Sequence, residues 1–236
     1  MRPFTVVALL FGLIWVPGLI AQARISGHVT IIHPPRSKVD KDDSGAVISL
    51  VPLNGTAAGS EPPRHFRLAQ KNKSFEKHLL VISAGSIVDF PNFDPIFHNV
   101  FSLFNGQRFD LGLYESGTTR SVKFAKPGVS YIFCNIHPQM EAVVVTVPTP
   151  WFAVTRADGD FTINNVPPGR YEMQVWFERA SAEELSALTR TIAVESDVEL
   201  PEFTVHSVNV VPAQHKNKYG RDYDVSSPDS PYTPGQ

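Results

Sequence analysis

The chain has 236 residues and a formal net charge of -2, with 21 Lys+Arg against 23 Asp+Glu. No basic run stands out, so nothing suggests a nucleic-acid partner. A single cysteine excludes an intramolecular disulfide, and 15 Gly with 20 Pro suit turn-rich β structure better than helix.

Arg2 precedes an apolar stretch from Phe4 to Ile20, and Ala21-Gln22-Ala23 has the small-x-small form of a cleavage site. This pattern predicts an export signal over residues 1–23, a periplasmic or secreted protein, and no membrane span once the signal is cleaved. Ile25 to Ile32 and Ala46 to Leu53 then read as strands around the polar segment Pro34 to Gly45, and Asn54 to Arg64 as a loop. Leu79 to Ile82 and Ile87 to Phe90, separated by Gly85, predict two strands of a meander or hairpin. Val122 to Phe124 alternates, Pro127-Gly128 supplies a turn, Tyr131 to Phe133 leads into Cys134, and Ala142 to Val147 reads as a buried strand.

From Pro148 the pattern changes. Trp151 to Thr155 is strand-like, Asp158-Gly159 carries a tight hairpin signal, and Phe161 to Ile163 alternates. Pro168-Gly169 fits the centre of a type II turn, with Tyr171 to Phe177 as the partner strand. Ser181 to Glu184 has the form of a capping box opening one short helix, and strands follow at Thr191 to Val194 and Glu202 to Val211. The tail 212–236 is polar, shows no apolar period and is expected to be disordered.

The chemistry lies in Cys134-Asn135-Ile136-His137-Pro138-Gln139-Met140, where the chain turns between two strands, and in His98-Asn99-Val100 on or beside another strand. Soft thiolate and thioether with imidazole select copper over harder cations. Two His, one Cys and a weak axial Met form the ligand set of a blue-copper electron-transfer site, here His98, Cys134, His137 and Met140. Metal ligation also answers why an exported chain keeps one free thiol, although an isolated cysteine can also be a small buried hydrophobe. Asn99 is placed to hydrogen-bond across to the Cys134 loop. The histidines His28, His33, His65, His78, His206 and His215 show no ligand spacing, and Met173, Trp151, Trp176 and Tyr171 read as core.

At these residues the sequence resembles the cupredoxins of the plastocyanin/amicyanin-like, methylamine-utilisation type. Phe97-His98-Asn99-Val100-Phe101-Ser102, Phe109-Asp110-Leu111-Gly112-Leu113-Tyr114 and Cys134-Asn135-Ile136-His137 carry the likeness. It implies a Greek-key cupredoxin β-sandwich over residues 68–147 with one type 1 copper, all four ligand positions being present. The flanking segments 24–64 and 148–211 resemble a carboxypeptidase regulatory-like, transthyretin-type β-sandwich, through Ile25-Ser26-Gly27-His28-Val29, Ala157-Asp158-Gly159-Asp160-Phe161 and Val166-Pro167-Pro168-Gly169-Arg170-Tyr171. The implied fold class is all-β, one sandwich inserted into another.

The expected function is single-electron transfer between redox protein partners, with His137 as the electron's exit and Ile136 and Pro138 as an apolar docking rim. The alternative is copper storage, delivery or structural clipping; a mature chain whose only methionines are Met140 and Met173 disfavours delivery. A Cys–His nucleophile lacks an orienting third group, so no enzyme activity is expected. Structural zinc favours closed Cys/His sets without thioether.

Overall fold

The computed structural model describes residues 22–35, 42–54, 63–103, 106–208 and 215–223. The predicted export segment up to residue 21, most of the 54–64 loop and residues 212–214 and 224–236 of the tail lie outside them. The described chain is mostly β, as expected, with one short helix. It opens with β1 (Ala23–Ile32) and β2 (Val47–Pro52). The middle holds β3 (His65–Arg67), β4 (Gln70–Lys71), β5 (Ser74–Phe75), β6 (Leu79–Ser83), β7 (Ile87–Pro91), β8 (Val100–Ser102), β9 (Phe109–Asp110), β10 (Thr119–Lys123), β11 (Gly128–Cys134) and β12 (Glu141–Val147). It closes with β13 (Phe152–Val154), β14 (Asp160–Val166), β15 (Gly169–Trp176), α1 (Ala182–Leu188), β16 (Arg190–Val194), β17 (Val198–Glu199) and β18 (Phe203–His206). No described helix is long and apolar enough to cross a membrane.

The four larger sheets form successive layers. The first holds β14 and β1, with β17 and β18 parallel to β1; the second runs β13-β2-β15-β16. Between them Ile25, Val29, Ile48, Leu50, Phe161, Tyr171 and Met173 form one core. The third sheet runs β6-β12-β11-β8-β9 and the fourth β10-β7-β3, and Ile82, Phe90, Val100, Phe124, Ile132 and Val144 fill the space between these two. Since β2 pairs directly with β13 (Phe152 opposite Ser49), the chain leaves the second sheet for the middle unit and returns alongside its point of departure.

Strand patterning explains how the two units meet. A strand covered on both faces reads as a continuous apolar run, not as an alternation. In β12, Ala142 and Val144 face the inner core of the middle unit, whereas Val143, Val145 and Val147 join Val47 and Val81 in a separate apolar cluster, flanked by Phe152 and Trp176. That cluster is the seam between the second and third sheets. Burying each such valine contributes roughly 1.5–3 kcal/mol.

Several local expectations are corrected. Leu79 to Ile82 and Ile87 to Phe90 do not form a hairpin: β6 pairs with β12, β7 pairs with β10 and β3, and Ala84-Gly85 is a corner between sheets. The Asp158-Gly159 turn forms, with Gly159 at φ +81 and its Cβ site 2.3 Å from the Val29 carbonyl oxygen, so glycine is required there. It also joins strands of different sheets, β13 pairing with β2 and β14 with β1. Gly169 does not adopt the positive φ of a type II turn, because β14 and β15 cross from one sheet to the other; the Tyr171 hydroxyl pins that corner by donating to the Pro167 carbonyl at 2.7 Å. Ser181 caps α1 by accepting from the Glu184 amide at 3.1 Å, but the Glu184 carboxylate accepts from the His206 amide instead of closing the box. Ala23, assigned to the export segment, is the buried first residue of β1.

Candidate metal centre

β11 delivers Cys134 to the end of the third sheet, with Cys134 opposite Val100 and Phe133 opposite Phe101 of β8. His98 lies just before β8 and is held by reciprocal backbone bonds with Tyr114, at 3.1 and 2.9 Å. The loop after Cys134 closes on itself. The Cys134 amide donates to the Met140 carbonyl at 3.3 Å, the Met140 amide to the His137 carbonyl at 3.1 Å, and the Asn135 amide to the Asn99 carbonyl at 2.9 Å. These bonds bring residues three and six positions beyond Cys134 back to its side.

The three strong donors converge. Cys134 Sγ lies 3.6 Å from His98 Nδ1 and 3.5 Å from His137 Nδ1, and the two Nδ1 atoms are 3.2 Å apart. A triangle with these sides has its circumcentre about 2.0 Å from each corner, within reach of the roughly 2.0–2.3 Å bonds that imidazole and thiolate make to a transition metal. Among the described residues, these three form a group of potential metal-binding side chains with all ligand atoms within 4.8 Å of one another. All are buried. Met140, fully buried, joins Cys134 in the inner core.

The protons are arranged to leave lone pairs facing inward. His98 Nε2 lies 2.9 Å from Asp94 Oδ2; an ionised carboxylate only accepts, so Nε2 carries the proton and Nδ1 presents its lone pair to the cluster. Burial holds the His98 imidazole below its ordinary pKa despite Asp94. Burial, reinforced by repulsion from His98, lowers His137 to about 4. Burial pushes the Cys134 thiol up, opposed by backbone amides of Asn99, Ile136 and His137 that donate toward sulfur. Two neutral imidazoles and a thiol cradled by amides form a donor set suited to a soft cation, which would displace the thiol proton.

Asp94 is itself held in place. Asn72 and Lys73, both left-handed at φ 57 and φ 54, form the turn between β4 and β5. Their amides donate to the two Asp94 carboxylate oxygens at 2.5 and 2.9 Å. Burial raises the Asp94 carboxyl, but these amides and His98 outweigh it and leave the group below its ordinary value. Beside it, the buried Tyr114 hydroxyl donates to Gln70 Oε1.

The structure thus gathers His98, Cys134 and His137 and buries Met140 beside Cys134. Asn99 does bridge to the loop, but through its backbone; its side chain donates to Asp110 Oδ1 at 2.7 Å. Ile136 is half-buried against the inner core, and Pro138 is exposed. Four of the remaining histidines sit beside carboxylates: His28 with Asp160, His65 with Asp89, His78 with Glu178 and His206 with Glu184. Met173, Trp151 and Tyr171 lie in the outer core and Trp176 at the seam.

Sequence reasoning missed Asp94, whose one signal is a carboxylate four residues before a candidate ligand. It also missed part of the tail. Residues 215–223 are not structureless: they pack on the ligand loop, with His215 bonded to the Pro138 carbonyl and Tyr223 to that of Cys134.

No protein-family model matches the chain, and no curated protein matches it. Among solved structures, a reduced tryptophan-to-tyrosine mutant of amicyanin is similar at 20% identity, covering 43% of this chain and 98% of its own, with a TM-score of 0.34. A purple cupredoxin from Nitrosopumilus maritimus is similar at 21% identity, covering 36% of this chain and 99% of its own, with a TM-score of 0.32.

Proposed function

We propose that this chain is an exported cupredoxin-type electron carrier binding one type 1 copper through His98, Cys134, His137 and Met140. The observation that carries the reading is the convergence of two imidazole nitrogens and the only sulfhydryl at 3.2–3.6 Å, in a buried site with one imidazole tautomer fixed by Asp94. Bound copper would supply a one-electron Cu(I)/Cu(II) couple, and a donor set of two imidazoles, one thiolate and one thioether suits both oxidation states. The chain's residues pre-form the site. Asp94 orients His98, the loop's internal bonds fix His137 relative to Cys134, and burial excludes water and keeps the imidazoles neutral. Little rearrangement would then accompany electron exchange with a protein redox partner, which favours a carrier over a store.

The test is the Cu(II) spectrum of the folded, copper-loaded protein. An intense blue thiolate-to-copper absorption with a narrow hyperfine pattern is expected. A colourless protein, or an ordinary tetragonal Cu(II) spectrum, overturns the reading.

A further inference from the structure

We infer that the segment His215–Tyr223 is a built-in clamp on the ligand loop, with Tyr223 as a positioning residue for Cys134; this deepens the copper reading and rests on it. The segment reaches the loop and its neighbouring strand at four polar points. His215 Nε2 donates to the Pro138 carbonyl at 2.7 Å, and the Lys218 amide donates to Asn135 Oδ1 at 3.0 Å. The Lys218 ammonium donates to Asp110 Oδ2 at 2.8 Å, and the Tyr223 hydroxyl to the Cys134 carbonyl at 2.8 Å. The His215 ring also stacks on Phe133, the residue before the thiol, with centroids 4.0 Å apart and planes 22° apart. Within the segment, Asn217 Oδ1 accepts from the amides of Tyr219 and Arg221, and Gly220 turns at φ +74, so the clamp has a shape of its own.

These contacts close a ring around the thiolate ligand. Asp110, which holds Lys218, also accepts from the Asn99 side chain. Asn99 in turn offers its amide toward Cys134 sulfur and its carbonyl to the Asn135 amide. Tyr223 completes the ring at the carbonyl of Cys134 itself. The orientation of that peptide sets where the Cys134 side chain points, and bonds around a ligating thiolate tune its metal. A residue distant in sequence therefore acts on the site through the ligand's backbone without touching the donors.

Cys134 is the only thiol, so its alkylation in the metal-free full-length protein reads the loop directly, whether or not copper binds. Tyr223→Phe removes one hydroxyl and is expected to speed labelling about three- to ten-fold, the factor one hydrogen bond is worth; Lys218→Met should act in the same direction. In the copper-loaded protein, Tyr223→Phe should also shift the thiolate-to-copper band and the reduction potential. Unchanged labelling in both variants overturns the clamp. So does faster labelling with parental band and potential, because the tail then packs on the loop without positioning the ligand. Failure of the copper reading shows separately, as the absence of the blue band in the parent protein.

Discussion

At the scale of single residues, the candidate centre divides into groups that touch the cation site and groups that aim them. Asp94 belongs to the second kind. It accepts from His98 Nε2 and from the Asn72 and Lys73 amides, so its removal strands one buried and two part-buried donors. Asp94→Ala is therefore expected to destabilise the metal-free protein by about 2–3 kcal/mol, measured by denaturant unfolding. The same variant should weaken copper binding about 10–100-fold in a competition titration. Wild-type copper affinity in a folded variant would mean that the His98 tautomer is set elsewhere. The gathering of Cys134 and His137 was legible in the sequence, because a Cys-x-x-His-x-x-Met run needs no tertiary knowledge to read, and His98 was marked by its His-Asn-Val unit. Asp94 was not. Its partners lie 21 and 22 residues upstream in a two-residue turn, and only two left-handed residues make those amides converge.

At the scale of elements, the longer apolar strands were readable, whereas the short strands β3, β4, β5, β9 and β17 and the pairing of strands were not. Apolar runs and turn residues mark where strands begin and end, but a Gly or Pro-Gly corner looks the same whether the chain reverses within one sheet or crosses to the opposite one. β6 to β7, β13 to β14 and β14 to β15 all take the second course. The tail illustrates another blind spot: residues 215–223 are anchored by hydrogen bonds and one ring stack, and composition scores such a segment as unstructured. The Asp158-Gly159 corner gives an element-scale prediction. An alanine at 159 would hold φ +81 with a Cβ 2.3 Å from the Val29 carbonyl oxygen, which is backbone of β1 and cannot swing aside. Gly159→Ala should cost at least 1–3 kcal/mol, more than the strain of a left-handed residue alone. Gly85→Ala, at φ +90 with open space around its Cβ site, isolates that strain. Equal melting temperatures for the two variants would show that the Val29 contact relaxes at no cost.

At the scale of the whole molecule, the apolar seam joining the second and third sheets couples the outer unit to the one that carries the candidate metal site. A polar contact lies along the same boundary: His78, just before β6, is 2.7 Å from the Glu178 carboxylate, two residues after β15. The hydrogen bond to Glu178 raises the His78 pKa above its ordinary value, with burial opposing and the charges of Glu178 and Glu141 adding. A histidine raised in the folded state stabilises that state fully below its unfolded pKa, near 6.5, and loses the contribution as pH climbs through the higher folded value. Both side chains are substantially solvated, so the effect is modest and screened by salt. The comparison of parent with Glu178→Gln isolates it, since the other histidine–carboxylate pairs are common to both proteins. The parent should melt higher than the variant at about pH 5.5, and the gap should close by about pH 8.5 and shrink in high salt. A gap constant across that range would show that the contact stabilises the boundary without drawing on the charge of His78.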